Sequence, residues 1–147
     1  DFVSAGNTFL LPEYYLEALA SLIRKRDLDV PNIFFFSDDP GWVRDEIMSQ
    51  IPKSVKAQCV DINDQSQGYL DLYLISLCRY QIASNSSFGV WGGFLNKHPG
   101  KEVIIPEKWY SAEKQSPALK GHSEAFRMPG WTVFSVDELR VLDVGNS

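Results

Sequence analysis

Three segments of this chain combine hydroxyls, amides and carboxylates in patterns that can do chemistry. Ser84-Asn85-Ser86-Ser87 stands immediately before the apolar run Phe88-Gly89-Val90-Trp91. A helix that opens there presents unpaired backbone N–H groups and partial positive charge, and hydroxyls beside it add donors. Phosphate can then be held without Lys or Arg. The same residues also serve as an ordinary hydroxyl cap. Ser37-Asp38-Asp39-Pro40 offers either paired carboxylates for acid–base work or metal ligation, or a plain cap and turn. Asp71 closes a third polar region, 61–71. His98 and His122 each stand alone in polar loops and read as surface residues. Trp109 and Trp131 flank a loop and read as core anchors rather than sugar-stacking platforms. The sequence contains no HExxH, GxGxxG or Walker loop.

The elements that must position these groups follow from periodicity. Pro12 and Glu13 suit a helix start, and Leu16, Leu19, Ala20 and Ile23 fall on one helical face, with Arg24, Lys25 and Arg26 at the C-terminal end. The apolar run 33–36 predicts a strand covered on both faces, and Trp42, Val43 and Ile47 predict a short helix over 41–51. A strand at 57–60 comes next, then a helix over 70–78 with Leu70, Leu74, Leu77 and Cys78 inward. Further on, a short strand is expected at 80–83, a helix at 88–95, a strand at 103–105 and a last strand at 131–136. Residues 107–130 read as loop. Strand and helix alternate about five times, which predicts an α/β, Rossmann-like fold: a mostly parallel sheet with helices on both faces. In such sheets ligands bind beyond the carboxyl ends of the strands, which is where all three polar turns fall.

Composition sets limits on the rest. The chain has 147 residues, 44% apolar and 22% charged, enough for the core of one domain. A formal charge of −5 gives no global basic field for nucleic acid, so no nucleic-acid partner is expected. Cys59 and Cys78 do not form a CxxC pair, and both are expected to be reduced and buried. No apolar stretch approaches the ~20 residues of a membrane-spanning helix.

Four motifs in order carry a resemblance that covers nearly the whole chain. They are Phe34-Phe35-Phe36-Ser37-Asp38-Asp39-Pro40-Gly41-Trp42-Val43, Asp71-Leu72-Tyr73-Leu74-Ile75-Ser76-Leu77-Cys78-Arg79, Ser84-Asn85-Ser86-Ser87-Phe88-Gly89-Val90-Trp91-Gly92-Gly93-Phe94-Leu95-Asn96, and Val103-Ile104-Ile105-Pro106-Glu107-Lys108-Trp109-Tyr110. Together they resemble the C-terminal half of the galactoside α-1,2-fucosyltransferases of glycosyltransferase family 11, with a Ser-Asp-Asp form like that of the bacterial branch. The resemblance implies the C-terminal lobe of a two-lobed GT-B enzyme that holds GDP-fucose and transfers fucose, with inversion, to the 2-hydroxyl of a galactoside acceptor. It implies no cofactor and no metal. It also implies a cytoplasmic enzyme, peripheral to the inner membrane, whose N-terminal lobe is missing from this chain. By the same resemblance Ser37 and Asp38 lie beside the nucleotide, and Asp71 meets the guanine edge. Asn85, Ser86, Ser87 and Phe88 belong to the element that approaches the diphosphate. Asp1-Phe2-Val3 resembles the tail of the family's His-x-Arg-Arg-x-Asp motif, which makes Asp1 the candidate catalytic base, or else a structural acid. The alternative is a non-catalytic α/β nucleotide-binding or scaffold domain.

Overall fold

The computed structural model describes residues 10–110 and 124–135. It opens with α1, Pro12–Arg26, in which Pro sits in the first turn, Glu13 lies at the positive end, and Arg24, Lys25 and Arg26 lie at the negative end. Strands β1 (Asn32–Phe35) and β2 (Lys56–Cys59) form one parallel pair. Strands β3 (Tyr80–Ile82), β4 (Glu102–Pro106) and β5 (Thr132–Phe134) form a second parallel sheet in that order. Helix α3 (Gly68–Leu77) lies between β2 and β3 in sequence, and α4 (Ser87–Leu95) lies between β3 and β4. The fold is α/β with parallel strands throughout, as the alternation predicts. Among the described residues no helix is long and apolar enough to cross a membrane.

Side-chain alternation along β4 shows that helices cover both faces of the second sheet. Ile104 packs with Ala18 and Leu22 of α1, and Tyr80, Ile82 and Phe134 close that side. Val103 and Ile105 point the other way, into a cluster with Ala83 and Trp131. A Cβ at Gly93 of α4 would come within 2.9 Å of Val103 Cγ1, so α4 lies on this second face. Each of the three β4 side chains is fully buried, and full burial of such a chain contributes roughly 1.5–3 kcal/mol.

Helix α1 runs against the strand direction and is fixed at both ends. Near its start the Tyr14 hydroxyl donates to Ala83 O at 2.8 Å. Burial, with the neighbouring Tyr15 adding to it, pushes the Tyr14 phenol well above its ordinary value, and burial pushes Tyr15 up to about 12. Tyr14 therefore remains a neutral donor. At the other end Lys25 Nζ and Arg26 Nε donate to the buried carboxylate of Glu102 at 2.6 and 2.7 Å, and Thr132 Oγ1 adds a bond at 3.1 Å.

Several expectations from periodicity need correcting. The deepest residues of α1 are Tyr14, Ala18 and Leu22, whereas Leu16, Leu19, Ala20 and Ile23 are only half-buried. Small Ala18 lets the helix settle on Ile104, and the predicted stripe forms the flank. In α3 the fully buried residue is Ile75, which meets α4, while Leu70 and Leu74 are half-buried and Leu77 is 58% exposed. Strand β1 is covered on one side only, with Phe34 exposed. The expected helix over 41–51 breaks into α2 (Pro40–Trp42), a π turn (Val43–Ile47) and a 3-10 turn (Met48–Gln50). There Ser49 Oγ and Gln50 Nε2 donate to the carbonyls of Asp45 and Glu46 and compete with the regular ladder. Both cysteines are free, as expected, but half-buried rather than buried. Residues 111–123 and 136, part of the expected loop and last strand, lie outside the described residues, as does His122.

Helix α4 is set close to its neighbours by glycine. A Cβ at Gly92 would lie 2.4 Å from Ile75 Cγ2 and 3.1 Å from Gln81 Nε2. Gly92→Ala should therefore destabilise the chain by about 2 kcal/mol, because overpacking outweighs the roughly 1 kcal/mol gained in helix propensity. Denaturant unfolding checks this, and a double-mutant cycle with Ile75→Ala should show favourable coupling. Burial opposes ionisation of Glu102, but hydrogen bonds from Lys25, Arg26 and Thr132 outweigh it and hold the carboxyl below its ordinary value of 4.5. Its contribution is complete above that value and is lost as the pH falls through the lower folded value. Acid unfolding should show this loss below about pH 4.5, and Glu102→Gln should remove that part of the pH dependence.

Candidate functional site

The three polar turns fall at the carboxyl ends of β1, β2 and β3, as expected for ligand sites in parallel sheets. The structure brings the second and third together. Helix α4 begins at Ser87, one residue before the predicted start, with Ser86 as N-cap in extended conformation. Ser86 Oγ accepts from Phe88 N–H at 3.3 Å. Ser87 and Gly89 lie in the first turn, where their N–H groups have no acceptor within the helix. That turn rests on the end of β3: a Cβ at Gly89 would come within 3.1 Å of Ala83 Cβ. Phe88 is 41% exposed and reaches sideways to α3, where a Cβ at Gly68 would meet its Cε2 at 3.8 Å. Asp71, one turn along α3 from Gly68, accepts at Oδ1 from Asn63 Nδ2 at 2.6 Å.

The starts of α3 and α4 thus meet at Gly68 and Phe88, where an exposed aromatic ring, a capping hydroxyl and first-turn N–H groups stand together and the Asp71 carboxylate lies one turn along α3. These are the chemical parts of a nucleotide site: a ring and a carboxylate suit a base, and a helix start suits phosphate. Asn85 takes a structural place beside it. It is buried and donates from Nδ2 to Trp109 O at 3.0 Å, joining the turn after β3 to the segment after β4. Trp109 is buried and stacks on Phe126 with ring centroids 4.6 Å apart, the anchoring role its position predicts.

Ser37 and Asp38 lie in the turn after β1, in the other parallel pair. Ser37 Oγ accepts from Asp39 N–H at 3.0 Å and Asp39 Oδ1 from Trp42 N–H at 2.9 Å, so this turn caps α2. Asp38 is exposed and has no polar partner among the described residues. Asp1 lies outside them. Among the described residues no group of three or more His, Cys, Asp or Glu is placed to hold a metal ion. His98 is half-buried, with Nδ1 2.7 Å from Pro99 O.

Sequence reasoning missed Asn63 and the Arg44–Asp61 ion pair, which links the π turn to the loop after β2. No periodic signal marks a pair 17 positions apart across two parallel strands. Asn63 is separated from Asp71 by a 3-10 turn, Gln65–Gln67, that the sequence reads as plain loop. Burial pushes both Cys59 and Cys78 thiols upward, so neither is an activated nucleophile.

Parallel strands, helices on both faces and a patch at the strands' carboxyl edge define a Rossmann-like α/β domain. The chain belongs to glycosyl transferase family 11, whose model matches residues 12–135. It is similar to the O-antigen biosynthesis glycosyltransferase WbnK of Escherichia coli, with 31% identity over 84 residues, 57% of this chain and 26% of the relative. It is also similar to an alpha-1,2-colitosyltransferase of Escherichia coli, with 29% identity over 101 residues, 69% of this chain and 33% of the relative. The chain thus spans about a quarter to a third of the length of these curated relatives. No solved structure matches it significantly.

The Ser86 cap gives a direct test of how α4 starts. Ser86→Ala should cost about 1 kcal/mol in denaturant unfolding, whereas Ser86→Gly should cost only a few tenths.

Proposed function

We propose that this chain is the donor-binding part of a galactoside 2-α-L-fucosyltransferase that uses GDP-fucose. The observation that carries the reading is that the starts of α3 and α4 meet, with Phe88 reaching Gly68 one turn of α3 from Asp71. A carboxylate accepts from guanine N1–H and N2–H₂, which are parallel donors on one edge, and an exposed ring adds stacking surface. The α4 start complements the diphosphate. Family membership supports the transferase class, and the relatives' names support a nucleotide-sugar donor with a glycan acceptor.

In this reading the galactoside 2-hydroxyl oxygen attacks the anomeric carbon of fucose on the face opposite GDP. The new C–O bond forms as the bond to the β-phosphate oxygen breaks, the hydroxyl proton passes to a base, and the configuration inverts. Negative charge grows on the departing β-phosphate, where oriented N–H groups are worth more in the transition state than in the ground state. Asp1 is the proposed base. The second lobe of a GT-B enzyme would bring the acceptor and the cationic groups that a departing diphosphate needs. The name of the colitosyltransferase relative favours one variation in the donor, with colitose as the sugar. A non-catalytic nucleotide-binding domain is the remaining alternative.

Calorimetry on this chain should show GDP binding at least tenfold more tightly than UDP or ADP. The longer protein that carries it should transfer fucose from GDP-fucose to a β-galactoside and give an α-1,2 product. Transfer only from GDP-colitose would reassign the donor. GDP binding without transfer from either sugar to any galactoside would favour the non-catalytic alternative.

A further inference from the structure

Asp71 is held from one side. Its one side-chain hydrogen bond among the described residues comes from Asn63 Nδ2 to Oδ1, at 2.6 Å. Asn63 is itself fixed by the turn that begins at the next residue. Asp64 opens the turn Gln65–Gln67 with a capping box: its Oδ1 accepts from Ser66 N–H at 2.8 Å, and Gln67 Oε1 accepts from Asp64 N–H at 3.4 Å. The Ser66 hydroxyl also donates to Asp64, and these hydrogen bonds from Ser66 hold the Asp64 carboxyl below its usual range. The turn runs directly into Gly68 and α3, so Asn63 and Asp71 belong to one braced unit.

We propose that Asn63 is a positioning residue that sets the rotation of the Asp71 carboxylate and so determines selection for guanine. The proposal rests on the guanine-nucleotide reading of the site. A carboxylate in the first turn of a helix rotates about its last torsion, and that torsion is broad. Bidentate acceptance from two parallel donors needs one rotation. The Asn63 amide supplies it by engaging Oδ1, and each oxygen keeps further lone pairs for the base. Asn63 touches no base edge in this scheme. It acts through Asp71, so its effect belongs to discrimination between bases and not to the phosphate contacts at α4.

The experiment compares GDP with inosine diphosphate, which lacks the 2-amino donor, by calorimetry on this chain. The wild type is expected to prefer GDP by about tenfold, the value of one hydrogen bond to a charged group. Asn63→Ala should collapse that preference towards unity, while inosine diphosphate affinity stays within about twofold and the thermal midpoint barely moves. Asn63→Ser, whose shorter side chain cannot span the gap, gives the same reading if the Ala variant folds poorly. Full GDP preference in a folded Asn63 variant overturns the positioning role and leaves the guanine reading standing, provided Asp71→Asn abolishes the preference. A wild type with no preference, or an Asp71→Asn variant that keeps it, overturns the guanine reading and this inference with it.

Discussion

The close seat of α4 is the constraint on which the candidate site depends. Gly92 leaves room for Ile75 of α3 and Gln81 of β3, and Gly93 leaves room for Val103 and Trp131. Gln81 Nε2 then reaches Gly89 O at 2.7 Å, while its buried Oε1 has no hydrogen-bond partner among the described residues. Leaving a buried acceptor unpaired costs roughly 1–3 kcal/mol, so the surrounding contacts must outweigh it. With its axis pressed onto β3 and β4, α4 has one place to start, at the end of β3. The Ser86 cap and first-turn N–H groups are therefore delivered to the carboxyl edge by packing about 9 Å further along the helix, nearly two turns away.

The same logic extends outward from the sheet. Helix α1 is tied to Ala83 at one end and to Glu102 at the other, so both ends of the β3–β4 unit are clamped by one helix. Ala83 is shared: its carbonyl receives Tyr14, and its side chain supports Gly89. On the far face α3 packs along α4 through Ile75, and this sets Gly68 beside the edge of the Phe88 ring, one turn of α3 from Asp71. Two helix starts meet because their middles are packed together.

Much of this was legible in the sequence, and the misses have physical causes. The order of strands and helices follows from apolar runs broken by polar turns, and every strand seen here overlaps a predicted one. The Ser84–Ser87 region was legible because hydroxyls before an apolar run mark a helix start. The inward faces were less legible. Periodicity counts apolar residues without regard to size, so it chose Leu16 and Leu19 over Tyr14 and Ala18, where close approach and a buried hydroxyl decided the outcome. In α3 apolar residues lie on several faces, so the stripe of Leu70, Leu74, Leu77 and Cys78 does not stand out from its neighbours, and contact with Gly92 singled out Ile75. Asn63 and Arg44 were illegible because their partners lie across a turn or across two strands. Asn85 shows the opposite limit. Its place in a hydroxyl-rich motif pointed to ligand contact, and the fold gives its amide to Trp109 O.

On the proposed function the starts of α3 and α4 form a single guanine-nucleotide site. The most direct measurement is a structure of this chain determined with GDP bound. The diphosphate is expected at the N–H groups of Ser87 and Gly89, with the guanine edge on Asp71 beside the Phe88 ring. GDP seated instead on the Ser37–Asp38 turn, or on the outer face of α3, would contradict it.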